Sequence, residues 1–550
     1  MESIKFMIDD VEKEAQQMAL LDIIEQDYIN ANNKIIAAMV KNKIVELTYI
    51  VNNGDVIKTL DLQTEEGMRV YIRGLIHIFI RACYSVLPNC DVFIENTVAS
   101  GLYCEIRNTK IDPFIVDKIG RKMREYVNQD EKFEKKLVSK QHAIDFYKSQ
   151  RQPDKARLIE YREDKQFKMY SCGKLTDYYY GHMPPSTGYV NNFRLFFDGH
   201  GIIVGYPNRN DLNAEIVMPN HPKLSFVFAQ SKNWAELIGC SYVADLNDAV
   251  KGGSLRDIIL ISEALHEKNI SLIADEICES NSKLVLVAGP SSSGKTTFSQ
   301  RLKIQLMVNG KQPALLSLDN YYIDRDKIAP LEDGSIDLED ISTIDTELFN
   351  EHMLALMQGK TVEVPRFNFA KEKREETGKI MSLPDNGVLM VEGIHGLNKT
   401  LAKDVDRSLK FKIYISALTQ INLDRHNRIP TTDVRLIRRL VRDHAHRGAS
   451  AEKTLSMWQS VIAGEQKWIF PFQEDCNIMF NSTLLYELLF LKHDAVELLK
   501  TVDENSQYFS EANRMIKFLN YFVNIDKKEE SDIPSTSILR EFIGSGIFEQ

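Results

Sequence analysis

Eight consecutive residues carry the strongest chemical signal in the chain. Gly289-Pro290-Ser291-Ser292-Ser293-Gly294-Lys295-Thr296 spells G-x-x-x-x-G-K-[ST], behind an apolar strand-like run (Leu284 to Ala288) and ahead of a helical stretch (Thr297 to Met307). Small side chains at Gly289, Ser291, Ser292, Ser293 and Gly294 let backbone N–H groups curl around phosphates, and the opening of the helix adds partial positive charge. In such a loop Lys295 reaches the β and γ phosphates, and the Thr296 hydroxyl ligates Mg²⁺. The expected ligand is a nucleoside triphosphate.

Phosphate binding alone does not choose between a kinase, a motor, a GTPase and an ATPase switch, so carboxylates at other strand ends must decide. Asp319 follows a second apolar run in Ser317-Leu318-Asp319-Asn320-Tyr321-Tyr322, at the edge where an open α/β sheet gathers its ligands. There it would accept a proton from an attacking hydroxyl. Glu392 ends a third run, Val388-Leu389-Met390-Val391-Glu392-Gly393, and would hold a metal directly or through water. Downstream, Arg435, Arg438, Arg439 and Arg442 fall within roughly 60° of one helix face at about 100° per residue, and Arg447 follows them in the chain. Like charges on one stripe repel, so the stripe is expected to be a lid that closes on phosphates, the alternative being a solvated basic face.

The elements that position these residues follow from periodicity. From Lys283 onward, short and almost wholly apolar runs alternate with amphipathic stretches. Strands covered on both faces have this character, which predicts a doubly wound α/β domain with a parallel sheet over residues 281–500. Upstream, residues 1–65 read as a small α+β module with a helix from Ala15 to Tyr28. Residues 66–230 read as a second α+β domain opened by a long apolar helix, Val70 to Val86. Residues 231–280 have a helical pattern without proline and read as a connector, and residues 501–550 as a helix followed by a charged loop and tail.

Composition narrows the setting. A formal charge of -10 over 550 residues argues against a surface devoted to nucleic acid or anionic membrane and favours small-molecule chemistry. Residues 110–168 run against that balance, with 16 Lys+Arg to 11 Asp+Glu, and are expected to be solvated helix faces in preference to an RNA contact. The seven cysteines are scattered and form no C-x-x-C pair, which suits reduced thiols in a cytoplasmic protein. The first residues lack the basic-then-apolar order of a signal peptide, and no window reaches about 18 uninterrupted apolar residues, so neither export nor a membrane span is expected.

The P-loop, the S-x-D-x-[FY]-Y segment, the strand-end E-G and the R-L-x-R-R-x-x-R-D helix together resemble the uridine kinase and phosphoribulokinase group of P-loop kinases, over about residues 281–500. The resemblance implies ATP- and Mg²⁺-dependent transfer of the γ-phosphoryl group to a small-molecule hydroxyl, in uridine kinases the 5'-hydroxyl of uridine or cytidine. By motif position Asp319 is the base, Thr296 and Glu392 are metal groups, Lys295, Arg435 and Arg438 are catalytic contacts, and Thr297, Arg439 and Arg442 join the nucleotide site. Tyr322, Phe367, Phe369, Glu372, Arg374 and Arg435 would border the acceptor. Where the family has P-x-Y-D-F-x-x-H-S-R, this chain has Phe367 for Tyr and Glu372 for the base-reading His. An acidic side chain at a pyrimidine edge requires donors, so another ribosyl or polyol acceptor stays open.

The N-terminal half resembles the TGS and second additional (editing) domains of threonyl-tRNA synthetase, through Ile35 to Val40, Ser100 to Ile106 and Gly181 to Gly188. Editing there uses an H-x-x-x-H helix with a distant Cys and His. Here the first His is Arg73, His77 and His182 match, and the cysteine position is best matched by Tyr178, with Cys172 six residues too early. A set containing a cation makes a poor metal site, which leaves a scaffold, a regulatory pocket or a dimerisation surface as the expected role. The competing expectation for the whole chain is an RNA-associated regulatory protein with an ATP-switched P-loop. Self-association is left open.

Overall fold

The computed structural model describes residues 3–27, 34–199, 201–329, 337–368 and 371–548. Its first unit is a mixed sheet in the order Val11–Gln16, Ser3–Ile8, Val56–Leu60, Ala37–Val40, Lys43–Val45. Strand Ser3–Ile8 alternates exposed and buried residues, and Ile4, Phe6 and Ile8 pack on Leu20, Ile23 and Ile24 of the helix Leu20–Asp27. The helical pattern read from Ala15 thus starts later, because Val11–Gln16 pairs with Ser3–Ile8 as a hairpin; Tyr28 lies outside the described residues.

The helix Glu65–Val86 opens the second unit. The Thr64 hydroxyl accepts from the Gly67 N–H, and Glu65 and Glu66 suit the positive end of the helix. One four-stranded antiparallel sheet (Arg194–Asp198, Gly201–Gly205, Gly101–Arg107, Asp91–Thr97) and a second of three strands (Leu175–Tyr178, Gln166–Cys172, Glu134–Ser139) complete the α+β unit.

The third unit holds a five-stranded, all-parallel sheet in the order Gln312–Ser317, Gly387–Glu392, Leu284–Ala288, Lys410–Ser416, Ile478–Asn481. The strand preceding the P-loop is central, so the loop emerges where the connections to its two neighbours diverge. Both faces are covered. Val285 and Val287 enter one core, and Leu284 and Leu286 enter the other. The first of these cores also takes Ala244 and Leu246 from the helix Val243–Gly252, Ile270 and Ile273 from Leu255–Glu279, and Met515, Phe518 and Phe542 from the C-terminal part. The segments read from sequence as a connector and a tail therefore contribute side chains to the core of the parallel-sheet unit. Among the described residues, no helix is long and apolar enough to cross a membrane, and all seven cysteines are free.

A loop after the strand Lys410–Ser416 locks this unit to the second one. The Arg425 carbonyl accepts from the Ile94 N–H at 2.8 Å, and the Arg425 guanidinium meets Asp154 and Asp91. Beside it, the buried Asp177 accepts from Lys155, from Tyr147 at 3.1 Å and pairs with His426 Nδ1 at 2.6 Å. Burial would raise the Asp177 carboxyl, but Lys155 and His426 overcome it and hold it far below the usual range. Asp424, buried near two other acids, is pushed up to about 6. A buried cluster of this kind demands complete pairing and so fixes the relative register of the two units.

Candidate active site

The P-loop turns on two glycines. A Cβ at Gly289 would stand 2.1 Å from the Ile415 carbonyl oxygen, and Gly294 has φ +82°, which starts the helix Lys295–Val308 from a left-handed residue. Lys295 Nζ donates to the carbonyls of Gly289 and Pro290 at 2.9 and 3.1 Å. The loop borders a cleft of about 410 Å³ that gathers Ser291 to Thr296, Asp319, Glu392, Arg439, Arg442 and Arg447.

Thr296 Oγ1 lies 3.3 and 3.2 Å from the two carboxylate oxygens of Glu392, so a hydroxyl and a carboxylate converge on one point at the strand end. Thr296 and Glu392 are hard oxygen donors that would hold a magnesium ion. Burial raises the Glu392 carboxyl to about 7, with Asp319 and Glu541 adding to the rise and Lys295 opposing it. Asp319 is raised by burial against the pull of Lys295 and Arg447. Lys295 is lowered by burial while Glu392, Glu541 and Asp319 act to raise it. Lys295 thus stands among three carboxylates, a grouping to which a divalent metal would add positive charge.

The arginine stripe is divided. Arg435 and Arg438 were expected to reach substrate and phosphate; the structure directs both into the interior, 1% and 0% exposed. Arg435 forks onto Glu465, and its Nη1 is 3.3 Å from the Ser291 carbonyl. Arg438 forks onto Glu487 at 3.0 and 2.6 Å and donates to the Ser292 carbonyl at 3.3 Å. The charges that balance the stripe are thus carboxylates of neighbouring helices, and the helix Thr431–Arg447 is a packed element, not a free lid. Arg439, Arg442 and Arg447 remain on the cleft, gathered by Asp443, and Arg439 donates to Ser291 Oγ at 3.1 Å.

Elsewhere on the cleft wall, the rings of Tyr322 and Phe367 lie 5.7 Å apart, and Glu372 forms an ion pair with Arg325, both lining the cleft. Arg374 is a strut instead of an acceptor contact: it donates to the carbonyls of Tyr321 and Tyr322 at 2.9 Å and pairs with Asp345. Phe369 lies outside the described residues.

Two further acidic residues line the cleft, Glu541 among them being one that sequence reasoning missed. Glu339 lines the cleft and is pushed up to about 7 by burial and by Glu465. Glu541, on the short helix Arg540–Ile543, accepts from the Thr297 N–H at 3.3 Å and from its hydroxyl at 2.8 Å. Its carboxylate thereby sits at the anion-binding start of the P-loop helix. No local motif marks it. In the N-terminal half, Arg73 donates to the His182 carbonyl at 3.0 Å, while His77 is enclosed by Phe133 and Tyr179 and held neutral by burial, near 3. Among the described residues no group of three metal-binding side chains forms.

A central parallel sheet, a P-loop at its carboxyl edge and strand-end acids facing basic side chains define a P-loop phosphotransferase domain. Residues 284–485 match the model of the phosphoribulokinase / uridine kinase family. Uridine kinase of Staphylococcus haemolyticus (strain JCSC1435) is 31% identical over 183 residues, which are 33% of this chain and 78% of that protein. The chain belongs to the phosphoribulokinase / uridine kinase family. Its N-terminal region is similar to threonine–tRNA ligase of Clostridium kluyveri, 28% identical over 180 residues, 32% of this chain; the chain spans 28% of that relative's length. The solved structure of a possible uridine kinase from Bacillus stearothermophilus covers 39% of this chain and 98% of its own, at 14% identity and a TM-score of 0.28.

Proposed function

We propose that this chain is a cytoplasmic, ATP- and Mg²⁺-dependent kinase that phosphorylates the hydroxyl of a small molecule, with the 5'-hydroxyl of uridine or cytidine as the leading acceptor. The observation that carries the reading is the convergence of Lys295, Asp319, Glu392 and Thr296 on one cleft with Arg439 and Arg442. The P-loop amides and Lys295 hold the phosphates. Asp319 takes the proton of the acceptor hydroxyl as its oxygen bonds to the γ-phosphorus and the bond to the β-phosphate oxygen breaks, releasing ADP. Mg²⁺ held by Thr296 and Glu392 would neutralise phosphate charge. Arg439 and Arg442 face the transferring group, and Arg435 and Arg438 act one step back by holding the carbonyls of Ser291 and Ser292.

The pair Glu372–Arg325 favours a second acceptor class. Together these side chains offer both an acceptor and donors at the pocket edge, which suits a ribosyl or polyol compound as well as a pyrimidine. The test is ADP release with ATP and Mg²⁺ across nucleosides, pentoses and polyols, with Lys295→Ala as blank. Stimulation by uridine or cytidine supports the nucleoside reading, stimulation by another hydroxyl compound supports the second, and stimulation by none sinks both.

Glu541 competes with nucleotide phosphate for the same helix start. Glu541→Gln is expected to lower the KM for ATP about 2- to 5-fold, the value of one charge at a helix terminus. A raised KM would show that the carboxylate supports the nucleotide instead.

A further inference from the structure

A second cleft, of about 430 Å³, lies between the N-terminal sheet, the helix Glu65–Val86 and the helix Phe509–Leu519, and shares no lining residue with the P-loop cleft. That volume is in the range of small-ligand pockets. Seven of its lining side chains are cationic and two, Glu46 and Glu66, are carboxylates. Three of the cations are accounted for. Lys135 pairs with Glu46, Arg69 with Glu65 and Glu511, and Arg514 with Asp433 and Glu511. Among the described residues, Lys43, Arg73, Lys168 and Lys517 have no carboxylate within ion-pair distance.

Cations held together without counter-charges repel, and the cleft records it. Burial lowers Lys517, Lys168 lowers it further, Asp164 opposes, and Arg162 and Lys43 add to the fall. Arg73 is lowered to about 10, by burial first, then by Arg69 and Arg514, with Tyr180 opposing. The Arg73 guanidinium is nonetheless fixed, since it donates to the His182 carbonyl and lies against Gly181, where any side chain would collide with it. A concave, under-neutralised group with Arg73 fixed and Lys43, Lys168 and Lys517 exposed beside it is what an anion with several oxygens fits. The cations converge on a pocket and do not follow a track, which favours a small ligand over a nucleic-acid strand.

The cleft also touches the kinase machinery. Arg514, one of its walls, forks onto Asp433 at 2.7 and 2.8 Å. Asp433 is in the first turn of the helix Thr431–Arg447, which carries Arg439 and Arg442 to the P-loop cleft. An anion in the second cleft would compete with Asp433 and Glu511 for Arg514.

We propose that this cleft binds a small phosphate-bearing ligand through Arg73, Lys168 and Lys517, and that its occupancy is passed through Arg514 to the helix Thr431–Arg447. The binding step stands apart from the kinase reading; only its consequence for phosphoryl transfer rests on it. The test is calorimetric titration of pyrophosphate, at low salt, into the full chain carrying Lys295→Ala to weaken the P-loop. One saturable binding event is expected, weakened at least 10-fold by adding Lys168→Ala and Lys517→Ala, with altered hydrogen exchange across residues 431–447. A nucleoside diphosphate titrated in parallel separates the sources: tighter binding than pyrophosphate supports a nucleotide, equal binding supports recognition of the phosphates alone. Absence of binding, or binding indifferent to the two lysines, overturns the site. Binding with unchanged exchange overturns the coupling. A tRNA that binds with steep salt dependence where pyrophosphate does not overturns the small-ligand assignment.

Discussion

Asp319→Asn lowers turnover by about 10²- to 10⁴-fold and leaves ATP binding nearly unchanged, the expected result if this carboxylate is the base. The substitution keeps shape and polarity but removes the ability to take a proton. Asp319 stands in the cleft with Lys295 and Arg447 acting on it, and burial raises its proton affinity, which improves it as a base. The proposed nucleotide contacts, by contrast, are the loop amides and Lys295, which the substitution leaves in place. Single-turnover rates and equilibrium nucleotide binding, measured on the same preparation, separate the two effects. Unchanged turnover would remove Asp319 from the chemistry, and loss of nucleotide binding would make it a structural or metal-site group.

Arg438→Ala is expected to cost about 3–5 kcal/mol of stability, because it leaves the Glu487 carboxylate buried without its partner. Arg438 also donates to Ser482 Oγ at 3.1 Å and its carbonyl at 2.9 Å, so the loss reaches the chain beside the P-loop. The double variant Arg438→Met with Glu487→Leu replaces the pair by apolar groups of similar volume and should recover most of the stability. Thermal denaturation measures both. Turnover of the double variant then decides the role of the arginine. Recovery shows that Arg438 serves the packing of the loop, whereas a stable but inactive protein would return it to the transferring phosphate.

These two residues also show what could be read in advance. Asp319, Glu392 and the P-loop were legible because each sits at the end of a short apolar strand, and a parallel sheet brings such ends to one edge. Arg435 and Arg438 were legible as charges but not as pairs. Their partners Glu465 and Glu487 lie 30 and 49 residues downstream on other helices, and no period links them. Glu372 raised the opposite difficulty, an acid where the resemblance implies a donor, and its partner Arg325 lies 47 residues upstream. The mutual fit of Asp177, Lys155 and His426 belongs to two units at once, so neither unit's own pattern announces it. Local chemistry was visible in the spelling; long-range neutralisation was not.

The contact between Glu541 and Thr297 joins positions 244 residues apart, which has a consequence for synthesis. At typical elongation rates of roughly 5–20 residues per second, the P-loop leaves the ribosome ~12–50 s before the segment that covers its helix start. Through that interval the Thr297 N–H and hydroxyl lack this carboxylate partner. The strands of the parallel sheet, the last of them Ile478–Asn481, are all made before this acid, which therefore docks onto a loop the sheet has already positioned.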